Sequence, residues 1–272
     1  MYAAWYEKNG AAAEVMKTGE LADPEPAPGE VRIRLYASAV NPSDVKARAG
    51  SRPIRWPKLI PNSDGAGIIG RIGAGVTTHK VGDRVWTFNG QWDRPFGTSA
   101  QMIALPAALA VQLPKSLSWE QGACLGIPVM TAHRCLFADG PAQGKNVLVT
   151  GGAGVVAHYA IQLAKWAGAA TVLTTVSSEA KAAHARAAGA DIVIDPANED
   201  LSMIVKAATD GLGVDVAICA IGVASLANDA IALVRHRGRV SLFAGFSTGV
   251  KAELDVNAIH YHELMVTGAF GL

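Results

Sequence analysis

One stretch constrains this chain more than any other. A short apolar run, NVLVT at 146–150, leads directly into Gly151, Gly152, Ala153 and Gly154, and then into a helical pattern over 155–167. Gly152, Gly154 and Ala157 satisfy G-x-G-x-x-G/A between a strand and a helix, the context in which such a match carries weight. Gly152 permits a tight turn out of the strand. Gly154 lets the main chain approach an anion closely, and Ala157 keeps the helix near the sheet. The helix then presents first-turn N–H groups with no intrahelical partner, at the positive end of its dipole. The segment Gly152, Ala153, Gly154, Val155 and Val156 is therefore read as a diphosphate-binding loop opening an α/β layer.

The rest of that half keeps the same rhythm. Strands are expected over 170–176, 191–194, 214–219 and 239–244, and helices over 179–188 (closed by Gly189), 201–209 and 226–235. Strands alternating with helices through short connections predict a doubly wound parallel sheet. Before residue 120 the texture differs. The run 31–37 (VRIRLYA) alternates apolar and polar residues, and 65–72, 83–88 and 97–104 read as further strands, with Gly73, Gly75 and Gly82 marking turns. Two domains follow: a mainly-β one over 1–121 and an α/β one over 122–272.

The net charge of +1 exerts no global pull toward nucleic acid or an anionic membrane, and no basic stripe argues for nucleic acid. No uncharged apolar run reaches the roughly 18 residues that span a bilayer, and MYAAWYEKNG lacks a leader pattern. Cys124, Cys135 and Cys219 form no CxxC pair and read as reduced thiols. The expectation is a soluble cytoplasmic protein.

The second strand of the α/β half ends Thr175-Val176-Ser177-Ser178. A dinucleotide site preferring NAD usually carries an acid there, on the ribose 2′-OH. Here Ser177 and Ser178 are followed by Lys181, two hydroxyls and a cation suited to a 2′-phosphate. Glu179 falls in the first turn of the next helix, where the dipole accounts for it. NADPH is expected rather than NADH.

Val40-Asn41-Pro42 with Asp44 and Gly50, Ser63-Asp64-Gly65-Ala66-Gly67, Lys80-Val81-Gly82-Asp83-Arg84-Val85, Gly126-Ile127-Pro128 through Thr131-Ala132, the glycine loop and Gly238-Arg239-Val240 occur in one order along the chain. In these the sequence resembles zeta-crystallin and the quinone oxidoreductases of the medium-chain dehydrogenase/reductase superfamily. The resemblance implies a GroES-like catalytic domain followed by a Rossmann domain, with NADPH in the cleft between them. It implies hydride transfer to quinones or α,β-unsaturated carbonyl compounds by a homodimer or homotetramer. Asn41 and Asp44 would lie near the nicotinamide ribose. Lys46 occupies a position where many relatives carry a tyrosine that donates a proton or stacks on the substrate. Thr131 would touch the nicotinamide or diphosphate end, Gly245 and Phe246 would line the nicotinamide pocket, and Ala269 and Phe270 would offer backbone groups to the carboxamide.

Zinc-dependent relatives carry Cys and His-Glu where this chain has Asn41 and Ser63-Asp64, and no cysteine precedes Cys124. Asn and Ser are poor zinc ligands, so no metal is expected. Pro196 replaces a tyrosine that helps hold the 2′-phosphate in relatives. The relatives also continue beyond the position of Leu272 and re-enter the catalytic domain, so a truncated C-terminal part would leave apolar surface exposed. The resemblance leaves an enoyl-thioester reductase, a zinc-free alcohol dehydrogenase and a non-catalytic NADPH-binding crystallin-like protein as alternatives.

Overall fold

A computed structural model describes residues 1–220, 222–243, 251 and 253–269. The chain divides into two compact units, Met1–Ile127 and Pro128–Gly271.

In the first unit, β1 (Tyr2–Trp5) and β2 (Lys17–Glu20) form an antiparallel hairpin around the one-turn helix α1 (Ala12–Val15). A five-stranded antiparallel sheet is built from β3 (Glu30–Ala39), β4 (Asp64–Ile72), β5 (Arg84–Thr87), β6 (Met102–Pro106) and β7 (Ala110–Gln112), in the order β6-β3-β4-β5-β7. The alternation that marked 31–37 has the expected cause. Val31 and Ile33 are fully buried against Ile69, Val85, Ile103 and Leu105, while Arg32 between them reaches Pro24 and Glu25 and Arg34 is exposed. The connection from β3 to β4 carries α2 (Pro42–Lys46), with Pro42 in its first turn where its missing N–H costs nothing. A short helix, α3 (Trp119–Ala123), opens with a Ser118/Gln121 capping box.

One strand differs from the sequence expectation. Of 97–104, only the end from Met102 onward is laddered in the sheet. The main chain before it is spent elsewhere: Gly97, Thr98 and Ser99 donate to the carbonyls of Ile60, Asn62 and Pro61, and Gln101 donates to Tyr2. Residues 97–101 thus tie the 60–62 segment and the hairpin together.

Helix α4 (Gly126–Phe137) precedes a six-stranded, wholly parallel sheet. Its strands are β8 (Asn146–Val149), β9 (Thr171–Thr175), β10 (Ile192–Ile194), β11 (Val214–Cys219), β12 (Val234–Leu242) and β13 (Met265–Gly268), in the order β10-β9-β8-β11-β12-β13. The order runs outward from β8 on one side and restarts beside it with β11, as in the dinucleotide-binding doubly wound fold. The helices between them are α5 (Val155–Trp166), α6 (Glu179–Ala187), α7 (Leu201–Ala207), α8 (Ala224–Leu233) and α9 (Val256–Tyr261). Strand β8 shows why the pattern is continuously apolar. Val147 and Val149 pack with Ala157, Ala160, Ile161 and Ala164 of α5, whereas Leu148 joins Ala230 and Ile231 of α8 on the other face.

The expected helix 226–235 and strand 239–244 shift toward the N-terminus. Helix α8 ends at Leu233, and β12 pairs from Val234 onward. The ladder with β11 is interrupted between Val214 and Val216, Arg237 adopts φ 59°, and pairing resumes at Arg239. That irregularity hid the early start of the strand; Ala244 lies outside the described residues. Arg239 is itself buried. It donates to the carbonyls of Cys135 and Leu136 near the C-terminus of α4 (2.8 and 2.9 Å) and pairs with Asp139 at 2.9 Å. Among the described residues no helix is long and apolar enough to cross a membrane.

Candidate active site

In the second unit, the turn after β8 is held by β9. The Gly151 N–H donates to Thr175 Oγ1 (3.0 Å), the Gly152 N–H to the Thr175 carbonyl (2.9 Å), and Thr174 Oγ1 donates to the Val149 carbonyl (2.6 Å). Gly151, at φ 69°, makes the left-handed turn that the sequence reading gave to Gly152. Gly152 is required for a different reason: a Cβ there would stand 2.1 Å from Thr174 Oγ1. On the other side, Thr150 Oγ1 accepts the Ala220 N–H (2.9 Å) and the Thr150 N–H meets the Ile218 carbonyl (3.0 Å). The loop thus spans the point where the strand order reverses. Gly154 caps α5 with no side chain, so no cap covers the first-turn N–H groups.

These elements frame a cavity of about 610 Å³. Thr150, Gly151, Ala153 and Gly154 line it from the loop, Thr175, Val176, Ser177 and Lys181 from the end of β9 and the start of α6, and Asp195, Pro196 and Ala197 from the end of β10. Leu148, Leu201, Leu226, Ala230 and Leu233 supply an apolar floor. The Lys181 ammonium donates to Ser177 Oγ at 2.8 Å.

Of the residues expected to hold a cofactor, Ala153, Gly154, Ser177 and Lys181 line this cavity, whereas Gly152, Val155, Val156 and Ser178 do not. Gly152 faces Thr174, and Val155 is exposed. Ser178 caps α6, its hydroxyl accepting the Lys181 N–H at 3.4 Å. Thr131 is buried on α4, and Ala269 is buried after β13 with its N–H on the Leu242 carbonyl. Gly245, Phe246 and Phe270 lie outside the described residues. Sequence reasoning missed Thr174 and Thr175, whose signal was two adjacent hydroxyls ending an apolar strand. It also missed Asp195, which accepts from the Ala197 N–H and from Asn198 and so shapes its own turn.

The first unit holds a cluster of a different kind. Asn41 caps α2, its N–H donating to Asp44 Oδ2 at 2.7 Å. The Asn41 side-chain amide donates to Asp64 Oδ2 (2.7 Å), which also accepts the Ile127 N–H (2.8 Å). Asp64 is fully buried, Asn41 and Asp44 nearly so. Gly126 packs so closely that a Cβ would stand 2.2 Å from Asp64 Oδ1. Burial pushes the Asp64 carboxyl up to about 7, against the hydrogen bonds from Asn41 and Ile127 that favour its charge, and the neighbouring Asp44 adds to the rise. Burial likewise pushes Asp44 up to about 6. The structure thus brings Asn41 and Asp44 together and adds Asp64, which was quoted in a motif but given no role. A carboxylate opening the glycine- and isoleucine-rich start of β4 was its signal. Lys46 is exposed on α2. Asn41, Ser63 and Asp64 offer an amide, a hydroxyl and one carboxylate, a poor donor set for zinc. Among the described residues no three His, Cys, Asp or Glu side chains converge on one point.

Residues 27–115 match the alcohol dehydrogenase GroES-like domain, and residues 155–272 match the zinc-binding dehydrogenase domain. The chain is 34% identical to a rat quinone oxidoreductase over 251 residues, covering 90% of this chain and 72% of the relative. It is 33% identical to a tomato (Solanum lycopersicum) 2-methylene-furan-3-one reductase over 204 residues, covering 72% of this chain. It spans only 53% of that relative's length. The solved structure of a quinone oxidoreductase from Pseudomonas syringae pv. Tomato DC3000 superposes with a TM-score of 0.84 at 30% identity, over 99% of this chain and 81% of the other.

Proposed function

The chain belongs to the quinone oxidoreductase family of the medium-chain dehydrogenase/reductase superfamily, and from that premise we propose that it reduces quinones or α,β-unsaturated carbonyl compounds with NADPH, without zinc. The observation that carries this reading is the cavity beside the glycine loop. Its donor set fits a phosphorylated dinucleotide. Uncapped N–H groups at the start of α5 suit a diphosphate. The Lys181–Ser177 pair suits a 2′-phosphate, with no acid at the tip of β9 to repel it.

The bound nicotinamide would supply the hydride. The remaining work falls to side chains. Conjugate reduction consumes one proton for each hydride, and a group with its pKa near the working pH is best matched to that exchange. Asp44 and Asp64, pushed to about 6 and about 7, are assigned to hold that proton near neutrality. Asn41, fixed through its own N–H and its amide, is assigned to orient the nicotinamide ribose. The assembly expected is a cytoplasmic homodimer or homotetramer, checked by light scattering.

The test is a set of initial rates with NADPH and NADH against a panel of quinones and enones. NADPH should be preferred, and a chelator should leave the rate unchanged. If calorimetry finds that neither nucleotide binds the folded chain, the reading fails.

A further inference from the structure

A second cavity, of about 300 Å³, lies wholly within the first unit. Tyr6, Trp56 and Trp92 give it aromatic walls, and Arg52 and Arg55 give it charge. The two cations are not equivalent. Arg55 is closed on Asp93 at 2.7 Å. Arg52 stands with its guanidinium carbon 4.6 Å from the centre of the Trp92 ring, and among the described residues no carboxylate pairs with it at contact distance. A guanidinium held over an aromatic face keeps its donors directed around its edge, in the fork that matches a carboxylate. The volume is at the lower end of what small-ligand sites show, so it suits a compound of about one ring.

The cavity also adjoins the carboxylate cluster. Ala47, the residue after α2, lines it. The buried Asp44 of α2 feels the charge of Arg52, and Tyr6 in the wall feels that of Asp44. An anionic ligand here would therefore be read by one unpaired cation beside the helix that Asn41 caps.

We propose that this cavity selects acceptors that carry a carboxylate: flat, conjugated carbonyl compounds whose acid group is held by Arg52 and whose ring lies against Trp56 and Trp92. The proposal rests on the reductase reading for its substrate class, while the cavity itself does not.

The experiment compares 4-phenylbut-3-en-2-one with its para-carboxylated analogue, using NADPH and the full chain as wild type, Arg52→Met and Arg52→Lys. Arg52→Met should raise KM for the carboxylated enone by about tenfold or more, the size of a lost charge-assisted hydrogen bond. It should leave KM for the neutral enone unchanged, and Arg52→Lys should recover part of the difference. Equal effects on both enones, or none, overturn the proposal. Calorimetric titration with cinnamate, without nucleotide, gives a second readout. Saturable binding to the wild type that Arg52→Met abolishes supports the site even if neither enone is turned over, and in that case it is the reductase reading that falls. Binding that survives Arg52→Met overturns the site. Arg52 is exposed, and equal melting temperatures of the three proteins confirm that the comparison is between folded forms.

Discussion

The two candidate centres are made from different materials. Around the glycine loop the chemistry resides in the main chain: N–H groups aimed by a turn, held by Thr150, Thr174 and Thr175. Around Asn41 it resides in side chains: two carboxyls buried until their proton affinity approaches neutrality. The first centre depends on shape and has little to titrate. The second depends on protonation and tolerates changes of shape only where no atom is already in contact. A substitution should therefore act on the loop through volume and on the cluster through charge.

The sharpest way to break this contrast is Gly152→Val. Its side chain has no room against Thr174, so the loop must move, and the N–H groups proposed to hold the diphosphate lose their aim. NADPH affinity should fall about a hundredfold by calorimetry. An unchanged affinity would mean that the loop does not bind the diphosphate.

Asp64→Asn probes charge at nearly constant shape. A carboxyl whose folded pKa of about 7 stands above its unfolded 3.8 binds its proton more tightly when folded. Its effect is to lower stability as pH rises from 3.8 to about 7, with no further change above that. The asparagine can keep the bonds from Asn41 and Ile127 without that loss. The variant should be more stable than the wild type at alkaline pH, by about 4 kcal/mol, with the gap closing toward acid. A constant gap across pH would mean that Asp64 does not titrate in this range.

Lys181→Ala should raise KM for NADPH about tenfold and leave NADH unaffected, which separates recognition of the 2′-phosphate from the shape of the loop. Ser178→Ala should have the smallest effect. It should cost about 1 kcal/mol of stability, as a lost N-cap does, and leave the ratio of NADPH to NADH unchanged. A shift in that ratio would return Ser178 to the cofactor site.

The α/β half was legible because its code is local. NVLVT followed by glycines, then an alanine stripe, fixes strand, turn and helix within a few residues, and β8 and α5 fall within a residue of where periodicity put them. The loop's anchoring was less legible. Thr174 and Thr175 act from a neighbouring strand, and nothing in the motif points across the sheet. In the first half the strand 31–37 could be read from alternation, and 65–72 and 83–88 from the glycines that mark their turns, but 97–104 could not be placed correctly, since its main chain is spent on the 60–62 segment, which periodicity does not encode. The carboxylate cluster was half visible. Asn41 and Asp44 stood out beside Pro42, while the role of Asp64 depends on Gly126, 62 residues away, leaving room for a charge in the core.

The threonine anchors on the glycine loop have one more consequence. With Gly151 and Gly152 already fastened to Thr175, the turn is preorganised, and a ligand need not recruit it from a mobile ensemble. Little ordering entropy then opposes association. Removing the Thr175 hydroxyl should therefore reveal itself as a less favourable binding entropy, although that hydroxyl's bond is to the protein and not to the ligand.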